Sequence, residues 1–199
     1  MKFDPSQMSR TEAYFLMISC IVPRPIAFIS SISESGVTNA APFSFFNGIN
    51  GKPPLLVVAI GRREGVKKDS LQNIEATGEF VVNIPDENIA PKMVQCSADY
   101  PPDISEIETV GLTTLPSELI RPPRLAECAI QMECKLRQTV EIHDSITTLI
   151  IAEVLLYHIR DDILDGGVVD PQKLKPVGRL GGRTYAKTPE YFTLAPESI

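Results

Sequence analysis

The 199-residue sequence has no tryptophan, only two histidines and no pair of cysteines at CxxC spacing. It therefore offers no ligand set at the spacing of structural zinc sites or thiol redox sites. Rossmann, P-loop, GxSxG and HExxH motifs are also missing, and the glycine cluster at 178–183 has the wrong spacing for a dinucleotide-binding loop. These absences predict that the chain carries no metal site and no familiar nucleophile–base pair.

Positive charge and long apolar runs are scarce as well. The 19 Lys and Arg residues are outnumbered by 25 Asp and Glu, which gives a net charge of −6, so we expect no nucleic-acid partner. The longest early apolar run, 14–22, contains Ser19 and stops at Pro23, which is too short for a membrane span. Because no secretory signal accompanies the four cysteines, we expect a cytoplasmic protein without a membrane partner.

The remaining composition is that of a globular protein, with 43% hydrophobic and 22% charged residues. Its 17 prolines are dispersed, and neither a repeat nor a linker divides the chain, so we expect a single domain over residues 1–199. Five strand-like runs dominate the pattern, at 26–32, 55–61, 79–84, 126–140 and 146–159.

Two of these runs carry further information. In 126–140, apolar residues alternate with Gln131, Glu133 and two basic residues, which predicts a strand with one solvent-exposed face. The run 146–159 is apolar on both faces. It therefore predicts a strand at the centre of a sheet or in an interface.

Helices are fewer and shorter than the strands. Two are predicted over 10–20 and 86–98, and a third over 69–78, where Asp69 or Ser70 can cap the N-terminus. Since the strands follow one another without a βαβ rhythm, the sequence predicts a mainly β fold, an antiparallel barrel with a few peripheral helices.

Basic residues cluster just before the third helix, at Arg62, Arg63, Lys67 and Lys68. A helix N-terminus exposes unpaired N–H groups and the positive end of the helix dipole, so this cluster predicts a site for a phosphate monoester. Ser70 can donate its hydroxyl to the same group. A solvated charge run ahead of an ordinary capped helix explains these residues equally well.

The segment VTNAAPFSFFNGI (37–49) combines small residues, Asn39 and Ser44 with three phenylalanines. Small side chains let a flat ring approach the backbone, while amide, hydroxyl and N–H groups can bond its polar edge. Taken alone, the segment is better explained as a loop leading into a strand whose phenylalanines lie in the core. Together with a phosphate site about one strand away, it indicates a ligand with an aromatic end and a phosphate end.

Several blocks of the sequence resemble the FMN-binding, flavin reductase-like split-barrel family, and most of all its flavoredoxin-like branch. These blocks are PRPIAFISSISESGVTNAAPFSFFN (23–47), PPLLVVAIG (53–61), KDSLQNIEATGEFVVNI (68–84), VGLTTLPSELIRPPRLAECAIQMECKL (110–136) and VGRLGGRTYA (177–186). The resemblance covers nearly the whole chain. It implies a six-stranded antiparallel Greek-key split barrel and a homodimer with one FMN per subunit at or near the interface.

The resemblance also implies roles for individual residues. Ser30 and Ser31 would meet the isoalloxazine edge, Asn39, Ala40, Ser44, Phe45 and Phe46 would flank the ring and ribityl chain, and Arg62, Lys68, Asp69 and Ser70 would surround the phosphate. Which of Arg62, Arg63 and Lys67 reaches the phosphate stays open, because that loop varies in length within the family. Arg179 and Tyr185 either cover the flavin, bind the nicotinamide, or form a tight turn with a packed tyrosine.

The function that the resemblance implies is that of an NAD(P)H-dependent FMN oxidoreductase. Hydride would pass from the nicotinamide to the flavin, so that the protein supplies no acid, base or nucleophile. Two alternative functions require the same flavin-binding site. One is a flavoredoxin-type electron carrier that does not use NAD(P)H, and the other is a flavin-binding module without turnover. An oxygenase or another redox protein is the partner expected to receive the electrons.

Overall fold

The computed structural model describes residues 1–188 and 190–194. In this part of the chain the strands are β1 Ala27–Ile32, β2 Thr38–Phe43, β3 Phe46–Gly51, β4 Pro54–Arg63, β5 Val66–Lys67, β6 Glu79–Ile84, β7 Thr114–Leu115, β8 Arg124–Leu125, β9 Ile130–Glu141, β10 Thr147–Ile159, β11 Leu164–Asp165, β12 Val168–Val169, β13 Val177–Arg179 and β14 Tyr185–Lys187. The helices are α1 Arg10–Cys20, α2 Asp69–Thr77, α3 Ala90–Gln95, α4 Glu106–Thr109 and α5 Pro171–Leu174, with 3₁₀ turns at Pro5–Gln7 and Asp161–Ile163.

One antiparallel sheet dominates the fold, in the order β2-β1-β6-β9-β10-β4-β3, with β5 also paired to β4. Its end strands β2 and β3 are neighbours in the chain, since only Ser44 and Phe45 separate them. The Ala59 amide of β4 donates a hydrogen bond to the Phe45 carbonyl (2.8 Å). The sheet thus curls back on itself, and the predicted antiparallel split barrel is confirmed, with eight strands in its sheet rather than six.

The predicted helices lie where the sequence places them, with one difference in length. α1 has the predicted bounds and starts with a capping box between Ser9 and Glu12. α2 ends at Gly78, whose φ of +71° is a left-handed conformation that favours glycine. The helix predicted over 86–98 is shorter, because the Asp86 carboxylate accepts two backbone N–H bonds and holds a turn before α3.

The segment 37–49 forms the two strands β2 and β3, where the sequence predicted a loop leading into one strand. β2 pairs with β1 along its whole length, from Ala27 opposite Phe43 to Ile32 opposite Thr38. Helices α2 and α4 pack against it. β2 therefore forms because it pairs with β1 and is covered by helices, and not because large apolar side chains alternate along it.

Two apolar clusters form the core. The larger fills the barrel with residues from β1, β4, β6, β9 and β10, closed by Leu71 and Ile74 of α2. The second lies under α3 and α4 and includes Phe28 and Met93. Because fully burying each such side chain stabilises the fold by about 1.5–3 kcal/mol, these clusters fix β2 and α2 in place.

β10 lies between β9 and β4, at the sheet centre that its doubly apolar sequence predicts. Ile150 and Ala152 point into the core and are completely buried. Leu149 and Ile151, on the opposite face, are only half-buried. One apolar face of this strand is therefore not fully covered by the described part of its own chain.

Among the described residues, no helix combines the length and the apolar character that crossing a membrane requires. Over the same residues, no group of three or more His, Cys, Asp or Glu side chains is arranged to hold a metal ion. All four cysteines are free thiols, and Cys128 and Cys134 are buried in the two different core clusters.

The prediction that Gln131 and Glu133 face solvent is wrong. Glu133 is 0% exposed. Its carboxylate accepts hydrogen bonds from the amides of Glu118 and Leu119 (2.8 Å each) and lies 2.7 Å from Nε2 of His158. The loop between β7 and β8 thus covers this part of β9, and protein donors replace water around the charge.

The Glu133 carboxylate is held in its ionised form. Burial opposes ionisation, but the two amide donors and His158 outweigh that effect and lower the pKa from its ordinary value of 4.5. Because the pKa is lower in the folded than in the unfolded state, the interaction contributes stability above that ordinary value. The contribution is lost as the pH falls through the folded-state pKa.

We expect Glu133→Gln to lower the free energy of unfolding at neutral pH by about 2 kcal/mol, because hydrogen bonds to a charged group are lost. Urea unfolding at neutral and acidic pH measures this deficit, which should shrink in acid as the wild type loses the same contribution. Glu141→Gln, on the same strand but 53% exposed, is the matched control and should cost less than about 1 kcal/mol. Equal losses in the two variants would contradict the assignment.

Candidate functional site

Strand β2 is the floor of two adjoining pockets on one side of the barrel. The helix pocket, about 460 Å³, is lined by the start of α2 with residues 96–98 opposite. The arginine pocket, about 400 Å³, lies between α1, the end of β2 and the β13–β14 hairpin. Pro42 and Ser97 line both pockets, so the two pockets adjoin, and together they are called the groove. Each has a volume typical of a small-molecule site.

The helix pocket lies at the N-terminus of α2. Lys68 is the N-cap residue, and no side chain caps the helix. The prediction that Asp69 or Ser70 caps it is therefore wrong, because these residues already belong to the first helical turn. The first amides of the helix have no intrahelical acceptor and carry the positive end of its dipole. This end of α2 is thus suited to an anion.

Lys68 and Arg63 are basic residues that line the helix pocket. The Lys68 ammonium lies 5.6 Å from the centroid of the Phe43 ring. Desolvation, together with the positive charge of Arg63, lowers the Lys68 pKa. Arg63 forms an exposed ion pair with Asp99 at the rim. Positive charge therefore accumulates beside the uncapped helix N-terminus.

Arg62 and Lys67 are both held in ion pairs, and of these two residues Lys67 lines the helix pocket. The Arg62 guanidinium lies 2.9 Å from the Glu141 carboxylate on β9, and Arg62 lines neither pocket. The Lys67 ammonium lies 2.8 Å from both carboxylate oxygens of Glu75. Of the residues left open by the sequence, Arg63 and Lys67 line the helix pocket, where Lys67 is paired with Glu75, while Arg62 lies outside the lining of the groove.

Beneath the floor, a buried hydrogen-bond network joins β1, β2, α2 and α4. Oδ1 of Asn39 accepts from the hydroxyls of Ser70 (2.8 Å) and Ser31 (3.3 Å). Nδ2 of Asn39 donates to Oε1 of Glu106 (2.8 Å), and Nδ2 of Asn73 donates to the Ser31 hydroxyl (3.2 Å). Because these buried polar groups satisfy one another, the network holds the start of α2 against β2.

Glu106 is a carboxylate at the edge of the helix pocket and is only 6% exposed. Burial is the main cause that raises its pKa, and the negative charge of Asp69 adds to the rise. Hydrogen bonds from the Ala40 amide and Asn39 partly oppose it.

Most of the predicted site residues lie in the groove or directly under it. Asn39, Lys68, Asp69 and Ser70 line the helix pocket, and Ser44 lines the arginine pocket. Ala40 is completely buried in the floor.

Ser30 and Ser31 are completely buried in β1. The Ser30 hydroxyl donates to the Pro123 carbonyl and accepts from Nδ2 of Asn83 (3.0 Å), while Ser31 belongs to the network under the floor. Both hydroxyls are thus held by the protein. A contact of either serine with a ligand stays a prediction.

Two of the predicted phenylalanines lie outside the lining of the groove. Phe46 packs against the barrel core, and the Phe45 ring lies 5.9 Å from the Arg24 guanidinium. Phe43 lines the arginine pocket instead. The predicted roles of Phe45 and Phe46 beside the flavin ring remain predictions. Phe43, which the sequence placed only in the core, forms an aromatic wall of the arginine pocket.

The arginine pocket contains candidates that sequence reasoning missed or left undecided. Its lining includes Tyr14, Phe15, Arg24, Arg179, Arg183 and Tyr185. They come from distant parts of the chain, which meet because the backbones of Arg24 and Arg179 exchange two hydrogen bonds (2.9 and 2.8 Å). No local spacing in the sequence signals this contact.

Comparison with known proteins agrees with this architecture. A curated relative, an uncharacterized protein of Halalkalibacterium halodurans, is 41% identical and covers 100% of this chain and 98% of its own. The crystal structure of nitrilotriacetate monooxygenase component B from Bacillus cereus has a TM-score of 0.93 at 37% identity, with 98% of each chain covered. The 2-nitrobenzoate 2-nitroreductase NbaA of Pseudomonas fluorescens has a TM-score of 0.91 at 34% identity, covering 100% of this chain and 98% of that chain.

Residues 18–176 match the flavin reductase like domain. The matched region runs from the end of α1 to beyond α5 and includes β2, α2 and the network between them. The chain therefore belongs to the flavin reductase-like family.

Proposed function

We propose that this protein binds FMN in the groove over β2 and acts as an NAD(P)H-dependent flavin oxidoreductase of the cytoplasm. The observation that carries the proposal is a groove of two adjoining pockets in a member of this family, with an uncapped helix N-terminus and basic side chains at one end. Free thiols in all four cysteines support the cytoplasmic location.

The residues present at the helix pocket fit a phosphate monoester. The first amides of α2, the Lys68 ammonium and the Arg63 guanidinium supply donors and positive charge at one place. Ser70 is held in the first turn by its bond to Asn39. Asp69 is expected to orient its neighbours rather than to contact the anion.

The middle of the groove fits a planar ring and a polyol chain. Along the floor, Ala41 and Pro42 are small or flat and leave room close to the β2 backbone. Phe43 and Ser44 follow at the far end, where they can provide an aromatic contact and a hydrogen-bonding hydroxyl. A ligand with its phosphate at α2 would therefore place its ring towards the arginine pocket.

The chemistry that a bound flavin supplies is acceptance of a hydride from a reduced nicotinamide and transfer of electrons to an acceptor. The chain's own residues position that cofactor. The α2 N-terminus and Lys68 hold one end, β2 supports the ring from below, and the arginine pocket leaves room for a second reactant. No general acid or base is required for this role.

The name of one relative supports a proposal about which kind of protein receives the electrons. The Bacillus cereus structure at 37% identity is component B of a nitrilotriacetate monooxygenase. By analogy, we infer that this chain passes reducing equivalents to a separate oxygenase or another redox protein. The flavoredoxin-type carrier and the flavin-binding module without turnover are the alternatives that the experiment below distinguishes.

The proposed function is tested by titrating the purified protein with FMN and then following aerobic NADH and NADPH oxidation. We expect FMN to bind and one or both nucleotides to be oxidised with multiple turnovers. Failure to bind FMN would overturn the proposal. A flavin-loaded protein that neither nucleotide reduces but that a reduced redox protein bleaches would be the electron carrier, and one that only dithionite bleaches would be the binding module.

Lys68→Ala should weaken FMN binding by about tenfold to a hundredfold, because a hydrogen bond to a charged group is worth about 1.5–3 kcal/mol. Binding of riboflavin, which lacks the phosphate, should not change. Arg62→Ala removes the same charge from the nearby end of β4, where the side chain pairs with Glu141, so it is the matched control and should bind FMN like the wild type. Fluorescence titrations give all the affinities. Equal weakening by both variants, or an equal loss of riboflavin affinity, would place the phosphate elsewhere.

We also propose that the protein is a homodimer with the flavin site at or near its interface. The support is the outer face of β4 and β10, where Val57 and Ile151 are opposite each other and only half-buried. Burying such a face against a second copy would remove apolar surface from water.

Light scattering of the flavin-loaded protein should give twice the chain mass of 21.9 kDa. Val57→Lys should shift the mass towards one chain, because it places a charge in the proposed interface. Val168→Lys, at an exposed apolar residue on β12, is the control and should leave the dimer intact. A flavin-loaded wild type with the mass of a single chain would refute the dimer.

A further inference from the structure

Glu106 lies at one end of the buried hydrogen-bond network beneath the groove. Its Oε1 accepts a hydrogen bond from Nδ2 of Asn39 (2.8 Å), and its Oε2 accepts one from the Ala40 amide (3.3 Å). An ionised carboxylate has no proton to donate, so it can only accept. Asn39 must therefore turn its NH2 group towards Glu106 and its Oδ1 in the opposite direction.

The other hydrogen bonds of the network follow from this orientation. Oδ1 of Asn39 can only accept, so the hydroxyls of Ser70 and Ser31 both donate to it (2.8 and 3.3 Å). Ser31 has then used its only proton, and it accepts from Nδ2 of Asn73 (3.2 Å). Every donor in this series points towards Glu106. The carboxylate thus sets the direction of the whole network.

This direction has a consequence at the helix pocket, which Ser70 lines. The single hydroxyl proton of Ser70 is committed to Asn39, so its oxygen has only lone pairs left for a ligand. The oxygens of a phosphate also carry lone pairs, and two acceptors repel each other. While Glu106 is ionised, the anion therefore has to be held by the first amides of α2 and by Lys68, without the hydroxyl.

The same network can run in the opposite direction if the side chain at position 106 donates a proton. The Asn39 amide would then flip, accept through Oδ1 from residue 106, and donate through Nδ2 to Ser70 and Ser31. A flip of the Asn73 amide would provide an acceptor for the Ser31 hydroxyl. Each of these buried groups would keep a partner, and the proton of Ser70 would become free to point into the helix pocket.

We propose that Glu106 is a positioning residue that withholds the Ser70 hydroxyl proton from the ligand's phosphate by fixing the orientation of the Asn39 amide. The inference rests on the proposed function, because it concerns how tightly the helix pocket holds the phosphate of FMN. Making residue 106 a donor should release the proton and tighten binding. A merely structural role predicts the opposite, since disturbing the floor of the groove would weaken binding.

Glu106→Gln tests the proposal because it keeps the shape of the side chain and adds a donor. The Ala40 amide is a fixed backbone donor, so the glutamine oxygen should face it and the glutamine NH2 group should face Asn39. The variant should fold, because a hydrogen bond between the hydroxyls of Ser105 and Thr38 (2.8 Å) also anchors α4 to β2.

Fluorescence titration of Glu106→Gln should show FMN binding at least about tenfold tighter than in the wild type, the effect of one hydrogen bond to a charged group. Riboflavin affinity should not change. In a Ser70→Ala background, Glu106→Gln should give no such gain. Glu108→Gln makes the same substitution at an exposed position of α4, so it is the matched control and should leave both affinities unchanged.

Three results of these titrations would overturn the proposal. The first is FMN binding by Glu106→Gln that is unchanged or weaker. The second is a gain of the same size in the Ser70→Ala background, because the loss of negative charge alone would then explain it. The third is an equal gain in riboflavin affinity, since riboflavin has no phosphate to receive the proton.

The pH dependence gives a further test. Burial raises the pKa of Glu106 above its ordinary value of 4.5, and once protonated this carboxyl can donate as glutamine does. The ratio of the two FMN affinities, Glu106→Gln over wild type, should therefore fall towards unity as the pH decreases. The ligand's phosphate and the neighbouring Lys68, Asp69 and Cys96 are present in both proteins, so their titrations largely cancel in the ratio. A ratio independent of pH would contradict the proposal.

Nuclear Overhauser effects of the flavin-free, isotope-labelled protein separate this inference from the proposed function. In the wild type at neutral pH, the NH2 protons of Asn39 should lie near the Glu106 methylene groups. They should move to the Ser70 methylene in Glu106→Gln, and in the wild type as the Glu106 carboxyl carbon titrates, so the test survives a variant that does not fold. This change in a protein that takes up no FMN would support the network and refute the oxidoreductase. FMN binding with an Asn39 amide that never turns would do the reverse.

Discussion

The hydrogen bonds of Asn39 are the constraint on which the rest of the site depends. A single buried amide accepts from the first turn of α2 and from β1, and it donates to α4. Because these partners are buried, displacing any of these elements would break hydrogen bonds that water could not readily replace. These bonds hold the start of α2 and α4 against β2, and precise placement of a ligand requires such fixed walls.

The distribution of charge follows from the same arrangement. An acidic chain has to collect its positive groups locally if it is to hold an anion. Here the α2 N-terminus, Lys68 and Arg63 provide one positive region, and three arginines from distant parts of the chain provide another. The two regions lie at opposite ends of one groove. Under the proposed function, this arrangement would position charged, planar molecules beside each other.

The spacing of apolar residues predicted the positions of strands and helices well. It did not predict what packs against each of them. The barrel strands, α1 and the Gly78 end of α2 follow from apolar spacing and from glycine's tolerance of positive φ. The wrong prediction that Glu133 faces solvent shows the limit of this reasoning. Alternation of polar and apolar residues identifies the two faces of β9, but it does not identify the loop that covers one of them. Arg62 and Arg63 show the same limit of prediction from sequence. Neighbouring residues on a strand point to opposite sides, and only the pairing of β4 with β5 and the position of Glu141 decide which side reaches the groove.

The sequence by itself determined the mainly β architecture, the family, and the presence of a basic segment before a short helix. These are local properties or patterns spread over the whole chain, and they can be recognised without a three-dimensional structure. Only the tertiary structure decided that Lys68 and Arg63 face a common groove, that Ser30 and Ser31 support it from behind, and that Arg24 meets Arg179. Those contacts join residues up to 155 positions apart, roughly the separation between the two arginines in the printed sequence. Such contacts depend on strand pairing and packing, which no short stretch of sequence encodes.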